Sequence, residues 1–172
     1  MAKDSGFWWH GTMIRRLPHL LFALPLLCGA DTPTAGVPLP AGYRNWPVIT
    51  IAHEAGNFND LRAVLGNDVA IAAFRKDQRP FPDGTVIARL AWRYESSPAN
   101  DAVFGRAQSF VAGAPTNVQL MVKDSNRYAA TGGWGFAQFN GGKPVEPAAL
   151  SSCFPCHHQI KDRDLVFSHY SP

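Results

Sequence analysis

The sequence predicts an α+β fold: one mainly antiparallel β-sheet with a few short helices. Two observations carry that expectation. Apolar, β-branched runs follow one another with little helix between them, an order that favours an antiparallel sheet over alternating parallel units. The 15 glycines and 14 prolines among 172 residues call for many turns rather than long helices. Hydrophobic content of 46% against 17% charged is globular, and the length suits one ordinary domain with a sizeable core. A net charge of +3, with no Lys/Arg-rich run, excludes nucleic acid as the expected partner.

The first thirty residues read as a targeting segment. Arg15 and Arg16 precede the short apolar stretch LPHLLFALPLLCGA, which ends on Gly29 and Ala30. A basic start, an apolar middle and a small-residue exit make a secretory signal over residues 1–30. Met13, just ahead of the arginines, is an alternative start. Pro18 and Pro25 and the short length argue against a membrane span, and the bulky Leu27 before Cys28 argues against lipid attachment. Cleavage would remove Lys3, Arg15, Arg16, Asp4 and Cys28, lowering the net charge from +3 to +1. The exported chain would then carry Cys153 and Cys156 alone.

Beyond the cut, residues 31–42 form a Pro-rich, flexible lead-in, and residues 43–172 the domain. Trp46–Ala52 is a strand by its β-branched content. Asp60 is expected to cap a short turn broken at Gly66–Asn67, and Asp68 to cap a helix from Val69 to Lys76. RPFPDGT is a turn. In Val86–Glu95, Val86, Ala88, Leu90 and Trp92 alternate with Ile87, Arg89, Ala91 and Arg93, a half-buried strand with Arg89 on the more polar face. SSPANDAVFGRA reads as loop, and QSFVAGAPTNVQLMVKDS as strand, turn and strand, with Lys123 and Asp124 at the strand end. Gly132–Gly133 and Asn140–Gly142 are turns bounding a strand from Trp134 to Phe139. A short helix capped by Ser151 or Ser152 is expected in the tail. Trp46, Trp92, Trp134, Phe136, Phe139 and Met121 are core candidates.

That tail carries the chemistry. SSCFPCHHQ contains C-x-x-C-H, the haem c attachment string. Two thiols at that spacing can add to the two vinyl groups on one porphyrin edge, and the next histidine can ligate iron. Cys153 and Cys156 would form the thioethers and His157 the axial bond. Three rivals stand beside this reading. Proline before the second cysteine also occurs in thioredoxin-like redox sites, though those follow an early strand. Zinc would need a second ligand pair that the sequence lacks. A plain disulfide needs nothing more. His158, adjacent to His157 on a helix, would point elsewhere. His53 and His169 read as surface residues.

With the string placed, GYRNWPVI, LGNDVAIAAF, PFPDGTVIARLAW, VQLMVKDSNRYAATGGWGFAQF, SCFPCH and DLVF together resemble the cytochrome P-460 family, which includes the cytochromes c'-beta. The resemblance covers about residues 43 to 170. It implies a mostly antiparallel, often dimeric domain with one covalent haem c per chain. It implies an open iron position for a small ligand such as nitric oxide, hydroxylamine or peroxide. With the secretory signal, a periplasmic or secreted location after cleavage is expected, and with it a periplasmic redox partner. In the hydroxylamine-oxidising members a lysine after DGTV is bonded to the haem ring; Arg89 matches that position here. Guanidinium stays charged and is a poor nucleophile, so no ring cross-link is expected. Gln119 stands where some of those enzymes carry a carboxylate, and an amide cannot take up a proton at neutral pH. Arg89 and Gln119 are therefore the expected distal-pocket residues, Arg89 as a donor to a bound ligand or as partner of a haem propionate.

Overall fold

The structure, a computed structural model, describes Met1 and residues 36–171. The expectations for the signal segment, Met13, Cys28 and residues 31–35 lie outside the described residues. Among the described residues no helix is long and apolar enough to cross a membrane.

Six strands form one antiparallel sheet in which each pairs with its neighbour in sequence: β1 (Val48–Glu54), β2 (Asp60–Gly66), β3 (Val86–Ser96), β4 (Phe110–Lys123), β5 (Trp134–Asn140) and β6 (Lys143–Pro144). Three short helices interrupt this meander: α1 (Asp68–Arg75), α2 (Pro98–Phe104) and α3 (Cys153–His158). The expected α+β, mainly antiparallel class is the observed one.

Three local expectations give way. Residues 60–66 are a central strand rather than a capped turn, because pairing with both β1 and β3 satisfies the backbone and buries Val64 and Leu65. That tertiary gain overrides the local capping tendency of Asp60. The helix that follows is capped one residue earlier than expected. Asn67 Oδ1 accepts from the Ala70 amide at 3.0 Å and from the Val86 amide at 3.1 Å, tying α1 to β3. The segment read as loop holds α2, which starts on Pro98 and stops at Gly105 in the left-handed region (φ 70°). Proline at the start and glycine just past the end are the residues that helix ends prefer. No residue of α2 is buried, so it lacks the apolar stripe by which helices are usually read.

The expected strand–turn–strand at 108–125 is instead the single long strand β4. Its Gly113–Pro115 stretch is absorbed as irregular register against Ala91–Tyr94. Pro115 has no amide hydrogen to give the ladder, so an irregularity at this point costs no bond.

Facing pairs divide the sheet into two sides. One side carries Leu65, Ala88, Leu90, Val118, Leu120, Ala137 and Phe139, covered by Val37 of the lead-in, by Tyr43 and by Tyr128. The other carries Val64, Ile87, Trp134 and Phe136, covered by α1, Phe81, Leu165 and Val166. Trp134 is fully buried there; an indole of that kind contributes roughly 4–6 kcal/mol of transfer free energy. Of the expected core residues, Trp134, Phe136 and Phe139 are buried, while Trp46, Trp92 and Met121 pack on the clusters partly exposed.

Candidate functional site

The α1-covered side of the sheet is graded along its strands. Ile87, Met121 and Phe136 face one another in an apolar row. One step on, Val64, Arg89, Gln119 and Gln138 form the next row. The register therefore places Arg89 and Gln119 directly opposite each other, on the side where Phe136 lies.

The C-terminal segment brings α3 to the same side. Pro155 is tolerated as the third helical residue because the first amides of a helix have no intrahelical partner. The short helix displays Cys153 half-buried and Cys156 exposed, both as free thiols. His157 lies 5.2 Å from Phe136 and 5.1 Å from Phe167, centroid to centroid. Its Nδ1 is 2.7 Å from the Leu165 carbonyl oxygen. A carbonyl only accepts, so Nδ1 carries the proton and Nε2 presents its lone pair. Burial holds the imidazole below its ordinary pKa, opposed in part by the bond to Leu165. The bond fixes the ring's orientation and leaves Nε2 as the nitrogen with the lone pair.

Burial, and then the neighbouring Cys156, push the Cys153 thiol up, whereas reactive redox cysteines are pushed down. Among the described residues no three histidine, cysteine or acidic side chains gather into a metal-holding group. His158 is exposed and lies against the Phe154 ring.

Arg89 is held on several sides. Nη2 donates to Asp60 Oδ2 at 2.6 Å, and Nη1 donates to Gln119 Oε1 at 2.8 Å and to Asn117 Oδ1 at 3.0 Å. Gln119 Nε2 passes on to Gln138 Oε1 at 2.7 Å, and Gln138 Nε2 to Asn140 Oδ1 at 3.1 Å. Asp60 is also claimed by Arg62. Nε donates to Oδ1 at 2.8 Å, and Nη2 lies 2.7 Å from that oxygen without hydrogen-bond alignment. One buried carboxylate thus serves two guanidinium groups. Burial, and then the charge of Arg62, lower the Arg89 pKa, while Asp60 raises it. The Nε–H of Arg89 is shielded from solvent and unpartnered.

Asp60 was invisible as a site residue while its segment read as a turn. An acid at an inward position of a central strand would have been the signal. Lys123 is likewise no simple strand-end residue: it is buried, and its Nζ reaches Asp164 at 2.8 Å and 3.0 Å. The remaining histidines among the described residues lie elsewhere. His53 stacks on Tyr94 at 3.9 Å on the side facing the lead-in, and exposed His169 meets Arg163 at 2.8 Å. Two concavities elsewhere are lined mainly by apolar side chains, and neither includes His157 or Arg89.

The donor set fits a haem: two free thiols three apart, an oriented imidazole beside them, an apolar row under it and a shielded, unpartnered N–H on the adjoining row. A sheet carrying such a string and face belongs to the class of haem-binding β-domains. The family model Cytochrome P460 matches residues 40–168, and the chain belongs to that family, whose members bind haem. No curated protein matches the chain.

Proposed function

We propose that this chain is an exported c-type cytochrome holding one covalent haem, with an open iron position for small nitrogen oxides. Cys153 and Cys156 form the thioethers and His157 is the axial ligand. The observation that carries the reading is the 2.7 Å contact of His157 Nδ1 with the Leu165 carbonyl oxygen. Leu165 occupies Nδ1 and leaves Nε2 as a ready ligand, on the same side of the sheet as Arg89 and Gln119. The haem would supply one-electron exchange and a coordination position for nitric oxide, hydroxylamine or peroxide.

The chain's own residues limit what turnover can follow. Arg89 offers a charged donor from a fixed position, suited to a ligand oxygen or an anion. Gln119 holds that guanidinium through its carbonyl and cannot accept a proton. Asp60 is the carboxylate nearest the pair, and both its oxygens already bind guanidinium groups. A binding or electron-transfer role without turnover is therefore favoured over hydroxylamine oxidation, which needs a free base.

The test is a pyridine haemochrome spectrum of the chain made in cells able to attach haem c. A c-type α-band that survives acid-organic extraction is expected; its absence sinks the reading. Nitric oxide binding to the ferrous form, set beside turnover of hydroxylamine with an electron acceptor, then separates binder from enzyme.

A further inference from the structure

Two adjacent residues, Asp164 and Leu165, lie in the left-handed region (φ 50° and 65°). Neither is glycine, and a branched leucine there is strained. Such a conformation persists only where surrounding contacts impose it. The contacts here are specific. The Asp164 carboxylate receives Lys123 Nζ on both oxygens, and its Oδ2 also accepts the Phe81 amide at 2.7 Å. Lys123 Nζ further donates to the Gly132 carbonyl at 3.0 Å and sits 5.0 Å from the centroid of the Trp134 ring. A Cβ at Gly133 would come within 3.3 Å of Lys123 Cε, so the turn at Gly132–Gly133 leaves room for the ammonium. Leu165 itself is buried. Its carbonyl, one residue past the ion pair, is the group that takes the His157 Nδ1 proton.

We infer that the buried Lys123–Asp164 ion pair is a positioning device for His157. It anchors the strained bend from β4, on the side of the sheet that carries α3, and so fixes where the Leu165 carbonyl points. Lys123 and Asp164 touch neither the ring nor a ligand; they act through the backbone. The inference rests on the ligand role of His157 given above. A carbonyl held against Nδ1 increases the electron donation of the imidazole, and partners of this kind tune the metal they serve. Loosening the bend weakens that donation and favours the reduced metal.

The test compares the haem-loaded wild-type protein with Lys123→Met, Asp164→Asn and Lys123→Arg. Lys123→Met and Asp164→Asn are expected to raise the reduction potential by about a tenfold shift in the ferric–ferrous equilibrium, about 59 mV for one electron. The iron–histidine stretching frequency of the ferrous protein should fall with it, and Lys123→Arg should restore most of both. Asp164→Asn keeps an acceptor for the Phe81 amide, so it carries the test if Lys123→Met does not fold. Variants that melt earlier but keep the wild-type potential and stretching frequency overturn the inference, because the pair is then only structural. A Lys123→Arg shift equal to that of Lys123→Met overturns it too. Absence of a haemochrome in the wild-type chain would instead sink the ligand role of His157.

Discussion

Replacing Asp60 by asparagine removes one negative charge from between two half-buried guanidinium groups. The Asp60 and Arg89 side chains are 6% and 16% exposed, and Arg62 is 15% exposed, so water can do little to compensate. Asparagine keeps one carbonyl acceptor but leaves Arg62 and Arg89 facing each other with their shared counterion gone. Breaking a buried ion pair from one side costs about 3–5 kcal/mol. The retained acceptor places Asp60→Asn near the lower end, about 3 kcal/mol. For a domain of this size that is a fall in Tm of roughly 10–15 °C. Thermal melts and urea titrations read by circular dichroism measure it, with the urea slope unchanged because the folded surface is the same. The pair Asp60→Asn/Arg62→Met supplies the control. Arg62 keeps Glu54 at 3.0 Å, but removing Arg62 along with the carboxylate ends its repulsion of Arg89 and should recover at least about 1 kcal/mol relative to Asp60→Asn alone. A loss below about 1 kcal/mol for Asp60→Asn, the range of exposed pairs, would refute the reading of Asp60 as the buried counterion of Arg89.

Arg89→Lys keeps a charge for Asp60 but loses the fork that also reaches Asn117 and Gln119; nitric oxide affinity of the ferrous protein should fall about tenfold, the worth of one charged hydrogen bond. Unchanged affinity would leave Arg89 with no role toward ligand. Gly135→Ala would drive a methyl group into the Tyr128 ring and should cost about 1–3 kcal/mol by overpacking, read as a lower urea midpoint; a neutral result would mean that the tyrosine moves freely. The Asp101 carboxylate is held below its ordinary value of 3.8 by the Ser96 hydroxyl first, then by the amides of Gln108 and Ser109. A depressed carboxylate contributes its stability above the ordinary value and loses it as pH falls through the lowered one. Amide exchange at Gln108 and Ser109 should therefore stay slow down to about pH 4 and quicken only below it. Quickening that begins near pH 6 would contradict the assignment. Cys153→Ser and Cys156→Ser should each leave a haem held by one thioether, seen as a shifted haemochrome band, and the two changes together should give haem that extracts into acidic solvent.

How much was legible varies along the chain, for physical reasons. Val86–Glu95 could be read as a strand because its side chains alternate with a period of two, though Ile87 and Ala91, on the face read as more polar, are buried too. The strand at Asp60–Gly66 could not, because it is central and buried near one end, so its pattern is a short apolar run that a helix turn could share. The helix Pro98–Phe104 buries nothing and leaves only its end residues as signals. Within the candidate site, C-x-x-C-H named Cys153, Cys156 and His157 at once, since that spacing is local and set by the size of the group it suits. Arg89 and Gln119 were named by resemblance, and pairing across β3 and β4 places them opposite each other. Asp60 and the Lys123–Asp164 pair were not readable, being contacts between residues 29 and 41 positions apart.

The sequence by itself determined the antiparallel class, most of the turns, the family and the three residues of the haem string. The class, the turns and the string rest on periodicities and spacings that survive in an unfolded chain, and the family on the likeness of its motifs. Only the tertiary structure decided which proton His157 keeps, which carboxylate holds Arg89 and what anchors the bend at Asp164–Leu165. Those depend on burial, which raises the cost of an unpaired charge and makes distant residues answer one another.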